Sequence, residues 1–266
     1  MDALHILEKF SREYGTILCF GIDPMIEKIN SKGTITERIV DFYCEITDRL
    51  ILENQISAIK PNYAYFAQYG FEGLFALKEI IEIYKNKVFI VLDGKRGDIE
   101  KSSEAYAKEA YDFFRSDGIT VSPYMGKDSV LPFVQNGKQA YLLCKTSNKG
   151  ALDFQELKIG KKHLYEYVAE KSVSWKCGLV VGATTGSIKK VYKITRGNTP
   201  FLIPGIGSQG GNLEMVLKTI SPNPYIHLIN SSSSIAFAYC KNQKSPQRAA
   251  LDEAVSINSK IKKILF

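Results

Sequence analysis

The sequence predicts an α/β protein, a single (β/α)8 TIM barrel spanning residues 1–266, and three observations carry that prediction. Eight short apolar runs recur along the chain, most of them continuous rather than alternating, as parallel strands buried on both faces require. Segments with helical spacing separate them, so strand and helix alternate. Polar and glycine residues gather just beyond the runs, at the strand ends where a parallel barrel places its chemistry. The length of 266 residues suits such a barrel, which typically needs about 250. An open doubly wound sheet is the second architecture compatible with the same alternation.

The runs are Thr16–Gly21, Ile56–Lys60, Val88–Asp93, Gly118–Ser122, Gln139–Lys145, Cys177–Gly182, Phe201–Pro204 and Tyr225–Asn230. Ile35–Asn54 carries Ile39, Phe42, Ile46 and Leu50 three or four residues apart, the stripe of a helix with one buried face. Phe71–Lys85, Glu100–Arg115, Lys161–Lys176, Asn212–Ile220 and Pro246–Ile264 read similarly, and Pro246 suits a first helical turn. Asp117-Gly118 and Asn136-Gly137 read as turns. Gly178–Thr199 and the loop around Ser208 are candidate lid segments.

Hydrophobic residues make up 45% of the chain and charged residues 24%, which excludes a disordered protein and supplies an ample core. No apolar stretch is long enough to span a membrane. The opening MDALHILEKFSREYG mixes charges with apolar residues, unlike a signal peptide, so a cytoplasmic location is expected. The net charge of +7 suits a phosphorylated small molecule or a polyanion, and equally a solvated basic surface. No basic run with interleaved aromatics points to nucleic acid. Cys19, Cys44, Cys144, Cys177 and Cys240 are odd in number and widely spaced, which reads as reduced, mostly buried thiols. His5, His163 and His227 are scattered, so no metal site is expected. Trp175 and the tyrosines read as core and interface, and Arg96 as an exposed turn residue or a subunit contact.

The stretch most informative about chemistry is Val91-Leu92-Asp93-Gly94-Lys95-Arg96-Gly97-Asp98. Asp93 and Lys95 are two apart and point to one side of an extended segment, and Asp98 follows in a glycine-containing turn. Lys60, at the neighbouring strand end, completes an alternating Lys, Asp, Lys, Asp set. One reading is structural: a salt-bridged strand end with Asp98 capping the next helix. The other is catalytic. A substrate carboxylate placed beside Asp93 or Asp98 is repelled, loss of CO2 relieves the repulsion, and Lys95 stabilises and then protonates the carbanion. No motif for an electron-sink cofactor is present. Downstream, Pro204-Gly205-Ile206-Gly207-Ser208-Gln209-Gly210-Gly211 follows the seventh run and opens a helix, which suits an anion approaching backbone amides as well as a tight strand–helix connection.

With these motifs in order, GIDP, IKPN, DGKRGDI, SPYMG, KTSN, VVGAT and PGIGSQGG, the sequence resembles the orotidine 5'-phosphate decarboxylases, in particular the longer, type 2 branch of that family. The resemblance runs from about Cys19 to the C-terminal helix. It implies cofactor-independent decarboxylation of orotidine 5'-phosphate to uridine 5'-phosphate and CO2 in pyrimidine biosynthesis. It further implies a catalytic tetrad of Lys60, Asp93, Lys95 and Asp98, with Lys95 protonating C6. Asp23, Lys60 and Asn62 would lie at the ribose, Thr146 and Ser147 at the pyrimidine, and Gln209 and Gly210 at the phosphate. The functional unit would be a homodimer, with Asp98 and Ser102 crossing into the partner's site. The preceding phosphoribosyl transfer would belong to another chain.

One departure stands out. After the eighth run the family pattern resembles N-x-x-R-x-I, with an arginine on the phosphate. Here the run is Asn230-Ser231-Ser232-Ser233-Ser234-Ile235, and Ser233 holds the arginine's position. A hydroxyl cannot replace a bidentate, charged contact. Two competing readings follow: a non-enzymatic or impaired nucleotide-binding barrel, and a Mg-dependent sugar-phosphate decarboxylase of the same fold. Against the second, Lys60 stands near the place of that group's additional acidic ligand.

Overall fold

The apolar runs fold as eight parallel strands that hydrogen-bond in a closed ring. The computed structural model describes residues 2–135, 137–183, 186–205, 212–241 and 244–266. The strands are β1 (Leu18–Ile22), β2 (Ala58–Pro61), β3 (Phe89–Arg96), β4 (Gly118–Val121), β5 (Gln139–Lys145), β6 (Gly178–Val181), β7 (Phe201–Ile203) and β8 (Leu228–Ser231). Each pairs with its sequence neighbours, and β8 returns to β1, with Cys19 opposite both Ala58 and Asn230. The closed ring excludes the open doubly wound sheet. It leaves no exposed edge strand.

Alternation along each strand divides the core into two layers. Leu18, Phe20 and Ile22 of β1, Ile59 of β2 and Ile90 and Leu92 of β3 pack outward against the helices. Cys19, Ala58, Phe89, Val91, Tyr141, Val180, Leu202 and Leu228 form a second cluster inside the barrel. A helix the apolar runs did not predict, Ala3–Glu13, joins that cluster through Ala3, Leu7 and Phe10. Their spacing puts one apolar stripe against the barrel interior, and Asp2 caps the helix by accepting from the Leu4 amide. Fully burying Leu7 contributes about 1.5–3 kcal/mol.

The predicted segments are matched with local differences in two helices and one strand. Glu100–Arg115 is α-helical only to Lys108 and continues as a π turn over Glu109–Phe113, where Glu109 meets Arg96. The predicted helix Lys161–Lys176 starts at Leu164, because Gly160, at φ +60°, closes a hairpin that pairs Lys158–Ile159 with Lys162–His163. The last strand begins at Leu228 rather than Tyr225, since Pro224 opens a 3-10 turn. Within Gly178–Thr199 the described residues supply barrel strand β6 and the helix Ile188–Ile194, whose Ile188 and Val191 are buried. Residues 206–211, around Ser208, lie outside the described residues. No described helix is long and apolar enough to cross a membrane. All five cysteines are free; Cys19, Cys144 and Cys177 are buried, Cys44 is partly covered and Cys240 is exposed.

His227 sits fully buried just before β8, and its Nδ1 accepts from the Phe201 amide at 3.1 Å. Burial depresses its pKa from 6.5 to about 3. The unfolded chain therefore takes up a proton at this residue over a pH range in which the folded chain refuses it. Stability should fall as pH drops from 6.5 towards 3. His227→Asn keeps an acceptor for the Phe201 amide but removes the titration. Its Tm should fall less between pH 7 and pH 4.5 than the parent's, and parallel Tm–pH curves would contradict a neutral buried ring.

Candidate active site

The alternation that fills the barrel also builds the site. Following the inward positions of β1, β2 and β3 towards their C-terminal ends leads from Cys19 to Asp23, from Ala58 to Lys60 and Asn62, and from Val91 to Asp93 and Lys95. The same parity brings Thr120 from β4 and Asn230 from β8 to that end. These residues line a cavity of about 690 Å³ floored by Leu143, Val180 and Leu202. Thr146, Ser147 and Asn148 enter after β5, and Pro204, Gly205 and Ser232–Ser234 close the far side.

Asp93 is the centre of the charge arrangement. Its side chain is 9% exposed, with Lys60 Nζ 2.8 Å from Oδ2 and Lys95 Nζ 2.7 Å from Oδ1. Thr120 donates a third hydrogen bond, 2.8 Å to Oδ1. The Thr120 hydroxyl also accepts from the Lys95 backbone amide at 2.9 Å, so one side chain fixes both Asp93 and the strand that carries Lys95. Burial alone would raise the Asp93 carboxyl, but the Lys60 and Lys95 ammonium groups hold it well below the usual range. For Lys60, burial disfavours the charge, and Asp93 and Asp23 outweigh it to push the pKa up. Both groups therefore stay ionised. Lys95, by contrast, keeps about half its side chain exposed to the cavity.

Asp98 and Ser102 stand apart. Neither lines the cavity; the Asp98 carboxylate accepts from the Ile99 amide at 2.7 Å, and Ser102 lies in the first turn of the following helix. Within one chain the structure thus brings together Lys60, Asp93 and Lys95 but not Asp98. Asp23 lines the cavity, and its Oδ1 has no hydrogen-bond partner among the described residues. Asn62 bridges to Asp93 through the backbone beyond β2.

Thr146 is held in a way its sequence neighbours did not reveal. Gln155 accepts from the Thr146 amide at 2.8 Å and donates to its hydroxyl at 2.8 Å. The adjacent Glu156 lies 3.2 Å from the buried Lys145, which an irregularity between Leu143 and Lys145 turns away from the cavity. Thr120 and Gln155 are the residues that motif reading missed. Parity along β4 would have found Thr120; nothing local marks Gln155. Arg96, read as an exposed turn residue or a subunit contact, is not an exposed turn residue. Its side chain is 17% exposed, because the rings of Tyr63 and Tyr106 enclose its guanidinium.

At the far side, Ser233 lines the cavity with Ser232 and Ser234. Gln209 and Gly210 lie outside the described residues. Among the described lining residues the only cations are Lys60 and Lys95.

A closed parallel barrel with charged residues gathered at the C-terminal ends of its strands is the arrangement in which barrel enzymes place their active sites. The family model for the orotidine 5'-phosphate decarboxylase / HUMPS family matches residues 16–237, and the chain belongs to that family. It is 40% identical over 233 residues to the orotidine 5'-phosphate decarboxylase of Cupriavidus metallidurans, covering 84% of this chain and 85% of that one. The Dehalococcoides mccartyi enzyme of the same name is 36% identical over 248 residues, 90% of each chain. Among solved structures, Leishmania donovani OMP decarboxylase superposes with a TM-score of 0.81 at 34% identity, covering 98% of this chain and 99% of that one. Leishmania donovani UMP synthase gives 0.82 at 36% identity over 98% of this chain, which spans 57% of that longer protein.

Thr120→Val keeps the shape of the side chain but leaves the Lys95 amide without an acceptor and Asp93 with one donor fewer. Urea unfolding should show a loss of about 1–3 kcal/mol. An unchanged midpoint would mean that the hydroxyl does not bridge the two residues.

Proposed function

We propose that this chain decarboxylates orotidine 5'-phosphate to uridine 5'-phosphate and CO2 in pyrimidine biosynthesis, without a cofactor. The observation that carries the reading is the Lys60–Asp93–Lys95 chain of charges, held at inward positions of two adjacent strands on an open cavity. The family membership supports it. A substrate carboxylate on C6 seated beside Asp93 meets a charge that the neighbouring lysines keep ionised. The C6–carboxylate bond breaks, the electron pair stays on C6, and CO2 leaves. Lys95 Nζ then gives its proton to C6 to form the new C–H bond. In this reading Lys60 holds Asp93 and a ribose hydroxyl, and the unpartnered Asp23 Oδ1 supports a second ribose contact. Asn62 lines the same end, Thr146 and Ser147 face the pyrimidine edge, and Gln209, Gly210 and Ser233 take the phosphate.

The working unit in this reading is a homodimer in which Asp98 and Ser102 complete the partner's site. The position of Asp98 outside its own cavity supports this. So do exposed apolar residues at the same end of the barrel: Ile99, next to Asp98, and Tyr124, Met125 and Phe154, in the connections after β4 and β5, are 62%, 80%, 47% and 59% exposed. A stable monomer leaves such a surface unexplained.

Ser233 favours a second reading, a barrel that binds nucleotide weakly and turns over little. Steady-state decarboxylation in EDTA separates the two. The parent chain should turn over, and Lys95→Ala should lose at least about 100-fold, the typical worth of a positioned general acid. Ser233→Arg should raise kcat/KM by roughly 10- to 100-fold, as a charge-assisted contact adds about 1.5–3 kcal/mol. A folded, dimeric parent with no turnover would exclude the decarboxylase reading.

A further inference from the structure

We propose that Arg96 is the positioning residue that sets Lys95 for proton delivery, an inference that rests on the decarboxylase reading above. Lys95 has φ +45°, a left-handed backbone that a lysine adopts only at a cost. The register between β3 and β4 shifts between Leu92 and Arg96, so the strand is deformed where it presents Lys95. Such a conformation persists only where its surroundings over-determine it. Thr120 supplies one restraint through the Lys95 amide, and the Arg96 carbonyl supplies another by accepting from the Ser122 amide at 2.7 Å.

The Arg96 side chain supplies the restraint that reaches furthest. Its guanidinium lies 4.2 Å from the Tyr63 ring centre and 4.5 Å from that of Tyr106. Nη2 donates to both carboxylate oxygens of Glu109, at 2.8 and 3.1 Å. Tyr63 directly follows Asn62 at the end of β2, the strand that carries Lys60. Tyr106 lies on the helix that starts two residues beyond Asp98, and Glu109 opens the π turn that continues it. One cation thus ties the strand end bearing Lys60, the turn bearing Lys95 and the helix after Asp98 into one unit. Arg96 does not line the cavity, so any effect on catalysis passes through the residues it positions, and Lys95, its immediate neighbour in the chain, is the one it holds most directly. The planar fork is what the site uses: it stacks on two rings while its edge meets a carboxylate, which an ammonium cannot do.

The test compares the parent with Arg96→Lys and Glu109→Gln for orotidine 5'-phosphate turnover, uridine 5'-phosphate affinity, oligomeric state and Tm. Arg96→Lys should lose roughly 10- to 100-fold in kcat, the range expected from slight misplacement of a reacting group. KM and uridine 5'-phosphate affinity should stay within about threefold, because the lost interaction acts only in the transition state. Glu109→Gln keeps the stacking and should show a smaller loss of kcat with the same unchanged KM. An active parent whose Arg96→Lys variant keeps its kcat overturns the inference and leaves the decarboxylase reading standing. Loss of substrate affinity in step with kcat, or failure of both variants to fold, makes Arg96 a general structural residue and also overturns it. A parent with no turnover overturns the functional reading, and this inference with it.

Discussion

Asp93 lies in the C-terminal half of β3 with an ammonium group on each carboxylate oxygen and a hydroxyl beside one of them. Taking one carboxylate out of water costs several kcal/mol, and a buried ion survives only where partners satisfy its lone pairs. Here the partners come from three consecutive strands: Lys60 from β2, Lys95 from β3 itself and Thr120 from β4. The arrangement is poor as a stability device, since apolar residues of similar size would pack as well without the desolvation penalty. On the proposed reading it is effective as a fixed field. The charges are oriented before any ligand arrives, so no reorganisation is needed during reaction.

That field needs a rigid frame, and the barrel supplies one through strand parity. A one-residue slip in any strand would turn its inward set out towards the helices. Closure of the ring and the cluster joined by the N-terminal helix fix the register from below, through Cys19, Ala58, Phe89 and Leu228. The same parity that buries Val91 therefore aims Asp93. Stability at the base and electrostatics at the top are two consequences of one hydrogen-bonding pattern. Arg96 departs from the pattern: there β3 deforms, and its side chain is held from outside the cavity by Tyr63, Tyr106 and Glu109.

Much of this was legible because strands and short motifs are local. Continuous apolar runs mark the eight strands, and Asp93 and Lys95 show their shared face by spacing alone. The helix Ala3–Glu13 is equally legible from the spacing of Ala3, Leu7 and Phe10, although charged residues interrupt its apolar run. Gln155 was not legible, because its role exists only when a turn nine residues downstream folds back onto Thr146. The surroundings of Arg96 were hidden for the same reason: its rings lie on β2's exit and on a later helix. Motif spacing encodes contacts along one strand, whereas enclosure by other elements is a property of the closed barrel.

The far side of the cavity poses the sharper physical question. On the proposed reading, binding energy from the phosphate is used at the pyrimidine, so a weak anchor costs rate as well as affinity. Ser233 removes a charge from the position where the family pattern holds one, and no cation besides Lys60 and Lys95 lines the described cavity. The chain's charge of +7 raises the local concentration of an anionic ligand, but a screened surface field cannot orient it. Orientation then falls to short-range donors, the Ser232–Ser234 hydroxyls and the backbone around Gly205, whose contacts are neutral and individually weaker. A site so built has its reacting end fixed by Asp93 and its partners, while its anchoring end is held by geometry more than by charge. Restoring a single guanidinium there changes the anchor without touching the field.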